Sequence, residues 1–297
     1  MPATFTKPSL AHEALPLLFA ALLAGPACDG GRARAWEEPL AVRGPFLVDQ
    51  QALWLEGSQG VVFALDPGSD PPRVRRAPLG RHLSYVLPAG EREGESLLVL
   101  TAGQRRERAD QRAEAPALHV IRAQGAVAPQ VSRIELPVAF DRVVRSGDGR
   151  WALLHFGPEQ PQGGKDGGSG TPALFHNLNE VAVVDLSADL SRARPNPRAL
   201  RSFGAAPLAA LISPPLVVAG RESPLVLGIV LAPDLITLFD LAHPEPERRE
   251  ISVRLAAPAA AGDAASSSGE ALPEQVLFAP EQGQLVVRAA GSAMSSC

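Results

Sequence analysis

Few residues of this 297-residue chain have the type and spacing that metal chemistry requires. His155 and His176 bracket a glycine-rich stretch and could begin a metal site, with Asp166 or Glu180 as further ligands. Imidazole and carboxylate groups suit several divalent metals. No ligand spacing supports such a site, so the favoured interpretation is two unrelated surface histidines. The sequence therefore predicts no metal-binding residues.

The sequence also lacks the usual motifs of catalysis and phosphate binding. It contains no G-x-S-x-G nucleophile elbow, no H-E-x-x-H pair and no EF-hand loop. The run from Gly163 to Asp166 fails the P-loop pattern, because Glu159 replaces its first glycine and Asp166 its Ser or Thr. A Ser-His-Asp triad assembled from distant loops stays open. We therefore predict no catalytic residue, no cofactor-binding residue and no cofactor.

The N-terminal segment has the features of an export signal. Residues 15–24 form an uncharged apolar run that is too short to span a bilayer but suits a signal peptide. The following Ala-Gly-Pro-Ala-Cys28 resembles the lipobox of bacterial lipoproteins, although Gly25 stands where that family prefers Leu. The resemblance implies removal of residues 1–27 and lipidation of Cys28. The alternatives are ordinary signal cleavage before Cys28 and a structural N-terminal helix.

Composition limits the partners of the chain. A hydrophobic share of 45% argues against wholesale disorder, and a net charge of −4 gives no sign of a nucleic-acid footprint. Two cysteines, Cys28 and Cys297, do not make a disulfide framework, and no C-x-x-C pair suggests zinc. We expect an exported protein of the periplasm or cell envelope with an unknown envelope protein or ligand as partner. Nucleic acid is not expected, and the membrane is contacted only through a lipid anchor at Cys28.

Past residue 45 the chain predicts an all-β fold. Short apolar runs are bounded by Gly, Pro, Asp and Ser, which is typical of strands, and long helices would have to cross prolines. The clearest runs are residues 61–66, 97–101, 151–156, 181–186, 225–232 and 235–241.

Two markers recur along this region. The first is the residue that ends an apolar run. It recurs about every 55 to 63 residues, at Asp66, Arg122, Asp185 and Asp240. The second is a glycine in a turn before the next strand, at Gly94, Gly149 and Gly283. We expect these glycines to adopt positive φ, and the aspartates to accept backbone N–H bonds in the turn that follows.

The Ser-Gly-Asp-Gly-Arg turn at 146–150 and the apolar-Asp-Leu strand ends resemble the YVTN and WD-repeat-like β-propellers of exported bacterial proteins. The resemblance covers about residues 46–290. A unit of about 55 residues with four short strands suits one propeller blade. The implied blades are residues 46–79, 82–136, 138–205 and 207–256, followed by a last copy of two strands from residue 275.

Three architectures remain open. We favour about four to five four-stranded blades that form a truncated or partial propeller, incomplete or open at the C-terminus. The second is a compact five-blade ring in which Phe46–Val48 and its neighbours complete the last blade. The third is a two-sheet β-sandwich.

The predicted organisation is a signal peptide at 1–27, a flexible tether at 28–45 and a propeller-like domain at 46–297. Polar insertions at 157–172 and 257–273 interrupt the domain, because their compositions bury too little apolar surface to order themselves.

Three further features are interpreted as structural. Trp54 and Trp151 lie inside strands, where core packing is favoured over carbohydrate stacking. The arginine-rich residues 103–115 mix both charges and predict a solvated connection.

Three functions are compatible with these observations. The first is a non-catalytic binding or scaffold module of the cell envelope. The second is a propeller-type hydrolase or lactonase with acidic and amide side chains at a central channel. The third is a truncated, degenerate propeller without independent function.

Overall fold

The structure is a computed structural model. It describes residues 42–49, 51–66, 71–90, 95–104, 113–123, 128–158, 178–187, 189–200, 206–233, 235–243, 250–255, 273–279 and 282–289. All of them belong to one compact unit, residues 41–297. The predicted signal segment, Cys28 and nearly all of both predicted insertions lie outside the described residues.

Every regular element in the described residues is a β-strand, which confirms the all-β prediction. No helix there is long and apolar enough to cross a membrane. The strands are β1 (Val42–Val48), β2 (Gln51–Glu56), β3 (Val61–Asp66), β4 (Arg73–Pro78), β5 (Leu83–Leu87), β6 (Leu97–Thr101), β7 (Ala117–Arg122), β8 (Gln130–Glu135), β9 (Arg142–Arg145), β10 (Trp151–His155), β11 (Glu180–Asp185), β12 (Asn196–Ala199), β13 (Ala209–Ile212), β14 (Leu227–Leu231), β15 (Leu235–Asp240), β16 (Ile251–Arg254), β17 (Pro273–Ala279) and β18 (Gln284–Ala289).

These strands pair antiparallel with their chain neighbours in five sheets. Sheet 1 is β1–β4, sheet 2 is β5–β8, sheet 3 is β9–β12 and sheet 4 is β13–β16. Sheet 5 holds two strands, β17 and β18. Each four-stranded sheet falls almost wholly within one of the four segments predicted as blades, except that β1 begins at Val42, inside the predicted tether.

One predicted architecture needs correction. In the five-blade ring, Phe46–Val48 completes the last blade, but Phe46 pairs with Leu53 of β2 and Val48 with Gln51. Residues 46–48 therefore belong to sheet 1, where β1 is an edge strand, because their hairpin partner follows directly in the chain.

Both sequence markers occupy fixed places in the sheets. The four positions of the first marker end the third strand of each four-stranded sheet, namely β3, β7, β11 and β15. Gly149 (φ 76°) and Gly283 (φ 60°) lie in turns between the first and second strands of sheets 3 and 5, which confirms their predicted backbone. Gly94 lies outside the described residues.

Successive sheets pack face to face in chain order. Along each central strand the side chains point alternately to the two neighbouring sheets, so each pair of sheets has its own core. In β6, Leu97 and Val99 pack towards sheet 1, whereas Leu98 and Leu100 pack towards sheet 3. The same alternation in β10 and β14 builds the cores between sheets 3 and 4 and between sheets 4 and 5. Because successive side chains of a strand point to opposite faces, each central strand serves two cores.

Neighbouring sheets contact each other through their first strands, except for sheets 1 and 2. The first strands β5, β9, β13 and β17 contact one another in chain order. Sheets 1 and 2 instead approach each other through their last strands, β4 and β8.

Candidate functional site

Of the two histidines in the metal hypothesis, only His155 lies within the described residues. His155 ends β10 and is buried, so the interpretation of it as a surface histidine is wrong; its Nδ1 lies 2.8 Å from the carbonyl oxygen of Phe156. Burial is the main cause that lowers the pKa of His155. Glu180 begins β11 and is half-buried, while His176 and Asp166 lie outside the described residues. Within the described ranges, no three His, Cys, Asp or Glu side chains are grouped as metal ligands would be.

A second buried histidine, His119, lies with Gly80 and Thr101 in a cluster of polar groups between sheets 1 and 2. We call this cluster the knot. His119 lies in β7 and is 1% exposed. The backbone N–H of Gly80 donates to His119 Nε2 at 3.2 Å, and Thr101 Oγ1 lies 3.2 Å from the same nitrogen. A Cβ on Gly80 would lie 2.5 Å from Thr101 Oγ1 and 2.7 Å from His119 Nε2. Only glycine leaves room for this arrangement.

The knot fixes the protonation state of His119. Because Nε2 accepts the bond from Gly80, the single ring proton is assigned to Nδ1, which has no hydrogen-bond partner in the described residues. Burial, and then the positive charge of Arg133, lower the pKa of His119 to about 4. At neutral pH the ring is uncharged and serves as a structural acceptor.

A shallow cleft of about 500 Å³ lies beside the knot, at the end of sheet 2. Arg81 donates through Nη1 to Gln104 Oε1 at 3.2 Å, and Arg133 pairs with Glu135 at 2.5 Å. The Arg81 backbone N–H lies 3.5 Å from the carboxylate of Glu114. Two arginines and two glutamates thus line the cleft, and each of these residues has a partner on its wall. This pairing balances the charge of the cleft.

The turn carboxylates behave as the sequence predicts. Asp185 accepts the backbone N–H of Ser187 at 2.9 Å, and Asp240 accepts that of Ala242 at 3.0 Å. Burial raises the pKa of Asp185, but the hydrogen bonds from Ser187 together with the hydrogen bond and charge of Arg150 outweigh it, so the pKa is lowered. Where the marker holds Arg122 instead, its guanidinium reaches across to the carbonyl oxygen of Leu186 in the next sheet, at 3.4 Å.

Arginines also join neighbouring sheets. Arg145 of β9 donates to the carbonyl oxygen of Ser96 at 2.6 Å and to Glu95 at 3.3 Å, both just before β6. Arg198 of β12 pairs with Glu250, which precedes β16, at 2.6 Å, and both side chains are buried. The Arg198 guanidinium also lies over the Phe239 ring at 4.8 Å. Sheets 3 and 4 are therefore joined by a desolvated ion pair at their outer strands.

The two strand tryptophans have different environments. Trp151 is buried in the core between sheets 3 and 4, which confirms the prediction for it. Trp54 is half-buried and pairs with Phe63 across sheet 1, on the face turned away from sheet 2. Leu47, on the same face, is 69% exposed.

The C-terminal end of the described sheets carries an open surface. Strand β18 pairs with β17 on one side, and no described strand pairs with its other side. In sheet 4, Ile251 pairs with Leu238 and Val253 with Ile236, so these two side chains share the face that sheet 5 covers. They are nonetheless 63% and 48% exposed. We call this edge of β18, together with Ile251 and Val253, the open-edge surface.

The geometry of sheet 5 explains this exposure. Strand β17 contacts β13 and β14, so a sheet of two strands covers one side of sheet 4 and leaves β16 uncovered. The open-edge surface thus combines a strand edge that no described strand pairs with two exposed apolar side chains.

Sequence reasoning missed most of these features. The polar His119 inside an apolar strand and the alternating Ile251 and Val253 beside charges were available signals. Nothing in the local sequence around Arg198 distinguishes it from a surface arginine. Its burial depends on Glu250, which is distant in the chain.

Comparison with known proteins adds no family. No protein-family model matches the chain, and no curated protein matches it.

Proposed function

We propose that this protein is an exported, non-catalytic binding or scaffold module of the cell envelope, tethered by a lipid on Cys28. The observation that supports it best is the open-edge surface, because a strand edge that no described strand pairs, beside exposed apolar side chains, is a template for another chain. The titratable side chains buried in the same unit support it further, since His119, Arg198 and Glu250 serve internal contacts.

The fold we propose for this module is propeller-like and open at its C-terminal end. Four consecutive antiparallel four-stranded sheets support this, and so do the contacts between the first strands of sheets 2 to 5, since blades follow one another around a propeller in this way. No extended strand contact joins sheets 1 and 5 within the described residues.

Lipidation is tested by labelling the expressed protein with radioactive palmitate. We expect label in the wild type and none in Cys28→Ala, with Cys297→Ala as the matched control that keeps the label. Equal labelling of Cys28→Ala, or no label in the wild type, would overturn the lipid anchor.

Openness is tested by spin labels at Leu47→Cys in sheet 1 and Leu277→Cys in sheet 5, with Cys28 and Cys297 replaced. Both positions are exposed, at 69% and 51%. Packed sheets lie about 10 Å apart, so a closed ring gives a short, narrow distance distribution. We expect a much longer one, and the short distance would contradict an open ring.

A further inference from the structure

We infer that two copies of this chain associate through the outer faces of their sheets 1, stacked about a two-fold axis that runs parallel to the strands. The outer face of sheet 1 is the one turned away from sheet 2, and it holds Leu47, Trp54, Phe63, Leu65, Val74 and Arg76. The partner is a second copy, which goes beyond the proposed binding function. One premise, the removal of residues 1–27, rests on that function.

The outer face of sheet 1 is apolar across all four strands. Its neighbours along the strands, such as Leu53 and Val62, pack towards sheet 2, so the alternate side chains point away from that sheet. Trp54 pairs directly with Phe63, and Leu47 on the same face is 69% exposed. Three strand spacings of about 4.8 Å and strands of about 20 Å give this face an area of roughly 300 Å². Apolar patches of this size on soluble proteins are commonly functional.

The other sheets show what a face of this kind packs against. Between each pair of neighbouring sheets, apolar side chains of one sheet meet apolar side chains of the next. A second copy of sheet 1 supplies such a face. Because a two-fold contact uses the same patch on both copies, this one face is sufficient for a dimer.

Sheet 5 of the same chain matches this face less well. Val276 and Phe278 pack towards sheet 4, so the outer face of sheet 5 presents the residues that alternate with them. Exposed polar residues there are Gln275, Gln284 and Arg288. Stacking sheet 5 on sheet 1 would add Arg288 to the surface that already holds Arg76, and would take two amides out of water. A second copy of sheet 1 brings no amide to this surface.

The segments that adjoin sheet 1 in the sequence offer little apolar surface. Residues 29–41 hold five charged residues, Asp29, Arg32, Arg34, Glu37 and Glu38, and residues 67–70 read Pro-Gly-Ser-Asp. Charged groups lose their hydration against an apolar face. The composition of these segments therefore suits water better than it suits Trp54 and Phe63.

The position of Arg76 selects the symmetry axis. Arg76 lies on the edge strand β4, and its guanidinium is 5.6 Å from the centre of the Phe63 ring. An axis perpendicular to the strands would stack β4 on β4 and place both cations at one edge, where like charges repel. An axis parallel to the strands stacks β4 on β1 of the second copy. It separates the two arginines by about 14 Å or more, brings Arg76 to the edge that holds Leu47, and places Trp54 against Phe63 of the second copy.

The experiment is sedimentation velocity over a concentration series of the full chain. Cys28 and Cys297 are replaced by alanine, so that neither a lipid nor a disulfide joins two copies. We expect a reversible monomer–dimer equilibrium. Leu47→Lys places a cation beside Arg76 of the second copy and should raise the dissociation constant at least tenfold. Leu277→Lys on the outer face of sheet 5, at a position 51% exposed, is the matched control and should leave that constant unchanged.

A charge exchange tests the arrangement of the two copies. Adding Arg76→Glu to Leu47→Lys should recover at least threefold of the lost affinity, because the lysine of one copy then faces a glutamate of the other. Within one chain, residues 47 and 76 lie on opposite edge strands, about 14 Å apart. The recovery therefore acts between copies. At concentrations where the wild type is monomeric, all variants should keep its thermal midpoint.

Three outcomes overturn the inference: a wild type that stays monomeric throughout the series, a dimer that Leu47→Lys leaves intact, and a charge exchange that recovers no affinity. If palmitate labels Cys28 while the chain stays monomeric, the envelope tether survives and only the dimer fails. In the spin-label measurement of openness, dilution with unlabelled protein removes distances between copies.

Discussion

Sheets 2 and 3 have a neighbouring sheet against each face, whereas sheet 5 has a described neighbour against one face only. Every residue of β6 and β10, the second strands of sheets 2 and 3, is buried. In β18, the second strand of sheet 5, exposed and half-buried residues alternate. The strand position within the sheet is the same. The difference shows that the number of packed faces decides whether a strand is apolar throughout or only at alternate residues.

The comparison also concerns stability. A strand buried on both faces opens only with much of the core, whereas a two-stranded sheet with an exposed face belongs to the low-stability end of a structure. Four comparisons between variants test this contrast.

Removing the acid of the buried ion pair should have the largest effect. Glu250→Ala leaves Arg198 buried without that carboxylate and should lower the free energy of unfolding by about 3–5 kcal/mol in urea. Arg192→Ala breaks an exposed pair with Asp189, whose side chains are 89% and 62% exposed, and should leave the midpoint unchanged. The double variant Arg198→Met with Glu250→Leu should be more stable than Glu250→Ala. If it is not, the charge left behind is not the cause.

A pair of leucine truncations compares the two regions directly. Leu153→Ala in β10 removes a fully buried side chain and should lower the free energy of unfolding by about 2–5 kcal/mol. Leu277→Ala on the exposed face of sheet 5 should change it by less than about 0.5 kcal/mol. Equal losses in urea denaturation would contradict the contrast between the central and terminal sheets.

Acid should weaken the junction of sheets 1 and 2 through His119. Its pKa is lowered in the fold to about 4 from an ordinary 6.5, so the unfolded chain binds the proton more readily between these values. The contribution of uncharged His119 to the free energy of unfolding is intact above pH 6.5 and falls as the pH decreases. Near pH 4 the loss reaches about 3 kcal/mol. Urea titrations at several pH values should show this slope reduced in His119→Gln. An unchanged slope assigns the acid sensitivity to other groups.

Two glycines should give the smallest and sharpest contrast. Gly80→Ala places a Cβ 2.5 Å from Thr101 Oγ1 and should cost about 1–3 kcal/mol through overpacking. Gly147, in the turn before β10, has nothing within 4 Å of its Cβ position, so Gly147→Ala should be neutral or slightly stabilising. Thermal denaturation of both variants measures the difference. A neutral Gly80→Ala shows that the knot can rearrange.

The strands and their grouping follow from local signals. Apolar runs such as 97–101 and 151–156, bounded by turn residues, predict strands that the structure confirms as β6 and β10. The markers at Asp185 and Asp240 predict both a strand end and a cap, because an aspartate bonds to the backbone two residues later.

The interactions between sheets could not be predicted in this way. The Arg198–Glu250 pair spans 52 residues and the Gly80–His119 contact spans 39, so neither leaves a pattern in a local window. The exposure of Ile251 is of the same kind, since it depends on how many strands the next sheet has. Local sequence predicts the strands, whereas long-range packing selects the functional candidates.

The alternation in the central strands has a consequence for how this chain can change in length. Deleting one residue inside β10 would exchange the sets that face sheets 2 and 4, and so disrupt two cores at once. The same deletion in a connecting loop leaves both sets in place. Evolution can therefore lengthen or shorten this protein between its strands, while the central strands are inherited as units of fixed length.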